Sequence, residues 1–469
     1  MEKVCRGLCE RAPDCGDGYA CGDNGICKEA EGARGDTCKS EVECRAGLSC
    51  VLSDSTVVDN PNLLTATCGD AGPGHPAGAE CVFDSDCRNH TCALGHCIDL
   101  CKVTRDCGAG TSCTLMPRIE AEGKMFSGCL QSSGALVWNV TVHGPSDTVK
   151  IAVPTSAQSI AITMRVDDAN QKVGVTHLTG PDGSTLADIS GDYYLQHVRH
   201  RPEFGQSVLA MPSTPAYPLL AGVYALDVRS LKYPFTGEST SIGTATPVMT
   251  AVAKLDTSVI LDLHFYFLDL DEHPCAAELD GGTLDAETAV THSFFQSSFV
   301  GELRTVFAHG GIALGTITYE DLRGLPDFDG LDLANAAELL KHGTHSTGIN
   351  VFLVRSISPA GVFAYGPNPG PAGLANTAQS GVIVAIDSLC YRSWGQVADL
   401  TAHEIARYMG LYANVELDPD SASTLRTDLI DDTLGSDATS NLMYYSEQAT
   451  DTVLTPDQRL ILGKSPVLR

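Results

Sequence analysis

Seventeen of the chain's 19 cysteines lie between Cys5 and Cys129, and that crowding restricts the N-terminal region to a cross-linked fold. The region is rich in Gly and Asp and poor in large apolar side chains, so it has too little to bury for an ordinary core. Cys9, Cys15, Cys21 and Cys27 form one unit, and Cys38, Cys44, Cys50 and Cys68 a second. Cys81, Cys87, Cys92 and Cys97 form a third, and Cys101, Cys107, Cys113 and Cys129 a fourth. Zinc clusters favour two Cys with two residues between them, whereas the short gaps here are mostly four or five. Disulfides are therefore expected, about two per unit, in an oxidising compartment. Four cysteines allow three pairings, and spacing alone leaves all three open. Cys5 is left over. Three residues separate it from Cys9, as three separate Cys97 from Cys101, so it reads as the end of a preceding unit or as a cysteine that pairs outside the array.

At 469 residues the chain implies two to four domains. Its 58 Asp plus Glu against 30 Lys plus Arg leave a net charge of −28, which repels nucleic acid and anionic membrane and favours cations. It contains no apolar run of about 18 residues that would span a bilayer. The opening Met-Glu-Lys-Val-Cys has no apolar leader, so an extracellular setting implies a leader already removed, or a fragment.

Three regions follow from these patterns, giving a multidomain fold class. Residues 1–132 are the disulfide repeat array. Residues 135–254 alternate apolar and polar side chains, with strands expected at 137–142, 149–153, 160–166 and 223–228. An all-β sandwich, jelly-roll-like or immunoglobulin-like, of about seven to nine strands is expected there. In residues 255–469 strands at 259–267, 348–354 and 380–386 alternate with helical patterns at 286–309 and 394–412, which predicts an α/β domain.

The helical stretch around His403 carries the chemistry worth testing. His403 and Glu404 are followed by Gly410, and further on by Ser440, Asn441, Leu442, Met443, Tyr444 and Tyr445. In that order they resemble the metzincin superfamily of zinc endopeptidases, in a degenerate form of the bacterial secreted or surface type. The repeat array similarly resembles short Cys-rich repeats of bacterial surface proteins, and residues 218–228 resemble the last strand of β-sandwich domains attached to secreted bacterial proteases. The metzincin resemblance implies a zinc ligand at His403, a general base at Glu404, a sharp turn at Gly410 and a Met-turn at Met443. It also implies a further metal-side residue at Tyr445, a cleft-lining edge strand at 380–384, and a last helix beginning near Pro456. A working site needs His at the fifth and eleventh positions from His403. Those positions hold Arg407, which has no lone pair to offer, and Ala413. His403 and Glu404 are then relics, and zinc is not expected to be held. Asn414, Glu416 and Asp399 are nearby donors out of register.

Other candidates are sparser. Asp327, Asp329 and Asp332 alternate around Gly330 and suit calcium without completing an EF-hand spacing. Cys275 and Cys390 are the only cysteines of the last domain, and one disulfide between them is the simplest pairing. Asp418, Asp420, Asp431 and Asp432 read as solvated loops, and Asp269, Asp271 and Glu272 as loop or cleft carboxylates. Asn89 and Asn139 stand in glycosylation sequons. His342 and His345 form a close pair in a loop with no third partner in sequence. Three functions remain. The first is an extracellular or cell-surface structural or interaction protein, with a protein, peptide or second copy of itself as partner, carrying an inactivated peptidase domain. The alternatives are an active secreted zinc endopeptidase with divergent ligands, and an adhesion or glycan-binding protein.

Overall fold

The computed structural model describes residues 8–22, 24–232, 241–268, 270, 284–325, 328, 330–418, 421–433, 438–444 and 453–469. In the array, all four Cys units pair first with third and second with fourth. The bridges are Cys9–Cys21 and Cys15–Cys27, Cys38–Cys50 and Cys44–Cys68, Cys81–Cys92 and Cys87–Cys97, and Cys101–Cys113 and Cys107–Cys129. The repeat geometry makes this pairing local. In the last three units the second Cys follows a short 3-10 turn whose Glu43, Asp86 or Asp106 carboxylate caps backbone N–H groups upstream. Two hairpins stiffen the array: β1 (Leu48–Val57) with β2 (Asn60–Asp70), and β3 (Thr111–Pro117) with β4 (Met125–Gln131). Cys5 lies outside the described residues.

The sandwich is built from β5 (Ala135–Val140), β6 (Ser146–Val153), β7 (Ser159–Arg165), β8 (Gln171–Thr179), β9 (Thr185–Asp188), β10 (Glu203–Phe204), β11 (Gln206–Met211), β12 (Gly222–Lys232) and β13 (Val248–Lys254). One sheet runs β5-β13-β7-β11 and the other β6-β12-β8-β9, with β10 beside β8; all the pairings are antiparallel. Strand β12 alternates buried and half-exposed residues, as a strand with one wet face must. Strand β7 is buried at every position but its last. Its Ile160, Ile162 and Met164 face the sandwich core, while Ala161, with Val252 of β13, joins the core of the next domain. The first sheet is therefore covered on both faces.

The C-terminal domain holds a five-stranded mixed sheet with helices against it. Its strands are β14 (Ile260–Phe267), β15 (Ala313–Asp321), β16 (Ile349–Val354), β17 (Ala364–Tyr365) and β18 (Val382–Ala385), in the order β15-β14-β16-β18-β17. All pairings are parallel except β17 with β18. Leu263, Phe265 and Phe267 meet α1 (Gly301–His309) and α2 (Trp394–Tyr408) in one core, whereas Tyr266, Phe352 and Ile383 face the other side. Two expectations are corrected here. The helical pattern at 286–309 is broken into a short helix at Ala286–Ala289 and a wider π turn at Phe295–Val300 that runs into α1. The strand at 380–384 is not on the edge: β18 pairs on both sides, and β17 takes the edge. A hairpin of β19 (Val415–Asp418) and β20 (Ser421–Thr427), then α3 (Pro456–Gly463), complete the chain. Among the described residues no helix is long and apolar enough to cross a membrane.

Candidate functional site

Helix α2 starts where its sequence says it should. Ser393 accepts the Gln396 N–H and Gln396 accepts the Ser393 N–H, a reciprocal cap. Val397, Ala398, Thr401, Ala402, Ile405 and Ala406 bury one face. The helix stops at Tyr408 rather than running to 412, because Gly410 takes φ 110°, a region side chains avoid. The Leu411 N–H then closes back on the Ala406 carbonyl at 3.0 Å.

One shoulder of α2 carries the half-buried His403 and Arg407 and the buried Glu404. His403 Nδ1 lies 2.7 Å from the Leu442 carbonyl. A carbonyl only accepts, so Nδ1 carries the proton and Nε2 keeps the lone pair. Burial holds this imidazole below its usual pKa, with Glu404 pulling the other way. Met443, next to Leu442, is fully buried in the core that contains Ala402 and Ile405. Its carbonyl accepts the Asn414 N–H at 2.9 Å, and its N–H donates to Asn441 Oδ1 at 2.8 Å. The segment at Met443 is thereby clamped beneath the helix. Glu404 is 6% exposed and does not stand free. Arg407 Nη1 lies 3.3 and 3.2 Å from its two carboxylate oxygens, one helical turn on. Gly366, just past edge strand β17, lies so close that a Cβ there would sit 3.0 Å from Glu404 Oε2. Tyr365 of β17 is held above its usual pKa, first by burial and then by nearby Glu203, with Arg407 opposing.

The sequence-predicted residues do not all converge. His403, Glu404 and Arg407 form one patch with Met443 below. Ala413 is half-buried beyond the Gly410 turn, and Glu416 faces away toward Arg199 of the sandwich, 3.5 Å distant. Tyr445 lies outside the described residues, as do Asp269, Asp271, Glu272, Cys275, Asp327, Asp329 and Asp420. Asp332 is exposed and caps a short helical turn by accepting the Ala334 N–H at 3.0 Å. Cys390 is disulfide-bonded, with a partner outside the described residues. Asp432 accepts the Asp457 N–H at 3.0 Å, at the first turn of α3. Asn89 is buried and donates to the Ile98 carbonyl, whereas Asn139 is exposed.

The described residues around His403 fall short of a zinc site. They supply one imidazole nitrogen and one carboxylate already taken by a guanidinium, short of the three protein ligands of a catalytic site. Among the described residues, the groups of three or more His, Cys, Asp or Glu donors close enough to share an ion are all cysteine trios, and each of those cysteines is in a disulfide.

Two constellations had no signal in the sequence. His345 is not alone: its ring stacks on His264 at 3.6 Å, and its Nε2 lies 2.5 Å from Glu320. His264 Nδ1 lies 2.8 Å from Thr318 Oγ1, its Nε2 donates to the Thr347 carbonyl, and burial lowers its pKa. The other is a fully buried arginine, Arg199, in the loop between β9 and β10.

No family model matches the chain, and no curated protein matches it. Among solved structures it is similar to an acetyl xylan esterase, Est2A, from the rumen bacterium Butyrivibrio proteoclasticus, at 8% identity over 41% of this chain and 47% of that one, with a TM-score of 0.13. It is also similar to the infectious bursal disease virus Gx strain structure, at 12% identity over 53% of this chain and 64% of that one, with a TM-score of 0.16. The chain spans less than two thirds of either, and similarity of this depth carries no argument about fold or chemistry.

Proposed function

We propose that this chain is an extracellular structural or interaction protein whose C-terminal domain is a metzincin-like peptidase domain that has given up zinc hydrolysis. The observation that supports it is the Glu404–Arg407 pair. A general base must be free to take a proton from water. Here a cation grown from the same helix, at the register of a metal ligand, engages both oxygens of the carboxylate. His403 keeps its orienting bond to Leu442 and has no second imidazole beside it on the helix. Met443 beneath the helix, Gly410 at its end and the mixed sheet behind it are what such a domain would retain when only the chemistry is lost. The paired cysteines agree with an oxidising, extracellular setting.

Metal analysis of the full-length chain tests the reading, together with cleavage of casein with and without a chelator. The expected result is no stoichiometric zinc and no chelator-sensitive cleavage. Stoichiometric zinc that disappears in His403→Ala would overturn it. The double variant Arg407→His with Ala413→His is expected to gain zinc binding, because it restores the missing imidazoles on the same turn and helix.

A further inference from the structure

We infer that the cleft between the third Cys unit and the sandwich binds an extended acidic peptide, which adds as a strand to the free edge of β6. The cleft holds about 890 Å³, within the roughly 300–1,000 Å³ of ligand sites. Its walls come from β5 and β6 of the sandwich, from the third Cys unit and from the β3–β4 hairpin. These parts are fastened to one another. The Thr155 N–H, just past β6, donates to the Leu115 carbonyl of β3 at 3.0 Å. Gly95 of the third unit packs so tightly on the sandwich that a Cβ there would lie 2.8 Å from Trp138 Cβ. The inference gives the interaction protein proposed above a site, and rests on that reading, but not on the fate of zinc.

Strand β6 is the last of its sheet, and among the described residues it pairs only with β12. The Ser230 N–H donates to the Pro145 carbonyl at 2.8 Å, and in an antiparallel pair the bonded residues recur at every second position. Asp147, Val149 and Ile151 therefore turn their N–H and C=O groups to β12. Thr148, Lys150 and Ala152 turn theirs the other way, and all three line the cleft. That edge is about 14 Å long. A second main chain in the extended conformation is the ligand whose donors and acceptors recur at the same spacing. Lys150 sets its charge. Its side chain is exposed and forms no ion pair with a described residue. Carboxylates of the cleft are engaged elsewhere: Asp86 accepts the Val82 and Phe83 N–H groups, Asp147 the His143 N–H, and Glu120 lies 3.7 Å from Arg118. Across an antiparallel pair a carboxylate opposite a lysine is favourable, and a second lysine is not. Two copies of this chain paired about Lys150 would oppose like charges, whereas a peptide with Asp or Glu at that place gains an ion pair. Val82, 70% exposed, and the half-buried Ile119 also line the cleft and offer apolar contact to the peptide's other side chains.

The test selects random heptapeptides displayed on phage against the full chain, then measures the enriched sequences as synthetic fluorescent peptides by anisotropy. They are expected to carry Asp or Glu and to lose about tenfold in affinity for Lys150→Glu. Lys150→Pro removes an N–H that β12 does not use, at an edge where proline is accepted, and is expected to weaken binding by a similar factor. Methylating the peptide's own backbone nitrogens at alternate positions needs no change in the protein. One alternate set is expected to abolish binding, and the other to leave it within about twofold. A library that yields no binding peptide would overturn the cleft. So would peptides that bind both variants as well as the native chain and tolerate either set of methylations; the chain would then remain an interaction protein with its site elsewhere. A native dimer in sedimentation that Lys150→Pro dissolves would assign the edge to a second copy and equally overturn the inference. Zinc content of the same samples reports separately on the proposed function.

Discussion

The pairing of Arg407 with Glu404 has a measurable energetic signature. Glu404 is buried and Arg407 is one-third exposed, so truncating the arginine strands a carboxylate in a poorly hydrated site. Arg407→Ala is expected to lower stability to urea by about 1–3 kcal/mol. Adding Glu404→Gln should recover most of that loss, because the neutral amide needs no counter-charge; a double-mutant cycle with no coupling would remove the pair from the argument. The sequence offered Arg407 either Glu404 or Glu416; in the structure it takes Glu404, three positions back on the same helix, while Glu416 faces Arg199. The pairing of His345 with His264 and Glu320 was not legible in the sequence, because those residues arrive from separate strands and a loop.

Individual elements obey local rules closely. Spacing predicted cross-linked units, and all four adopt the same alternating pairing, with loops that close over 10 to 24 positions. Opening one of the larger loops with Cys107→Ser and Cys129→Ser is expected to cost the fourth unit roughly 3 kcal/mol in the chain-entropy picture. The check is hydrogen exchange: β3 and β4 should lose protection while β7 of the sandwich keeps it. Strands β5, β6, β7 and β12 fall where alternation or apolar runs predicted them. The misjudged elements were those whose surroundings override the local pattern. Helix α2 ends four residues early because Gly410 allows a conformation that stops it. Strand β18 reads like an edge but is flanked on both sides, since the two-residue β17 is too short to leave a period of its own.

The molecule as a whole should respond to pH through its buried groups. Burial raises Glu41 and Asp428 to about 7. Such carboxyls bind a proton more tightly folded than unfolded, so their stabilisation is complete below the ordinary carboxylate range and is lost as pH rises through about 7. His200 is held at about 4 by burial, accepting the Val175 N–H and donating to the Val208 carbonyl. Its contribution is present above its unfolded value and lost as pH falls toward about 4. Between about pH 4 and 7 the two carboxyls outweigh the one imidazole, so thermal stability is expected to fall as pH rises through that window, and Glu41→Gln with Asp428→Asn should remove the fall; an unchanged slope would show those carboxyls to be ordinary. The sequence by itself determined what is local: which cysteines fall into cross-linked units, which stretches alternate, where a helix starts, and that position 407 cannot ligate a metal. These depend on spacings of a few residues, within one turn, one strand or one small loop. The tertiary structure alone decided that the sandwich docks on the C-terminal domain through Arg199, because Arg199 and Thr427 stand 228 positions apart. No period or motif relates them; only the stacking of two domains, each folded by its own local rules, brings a buried cation to its acceptors.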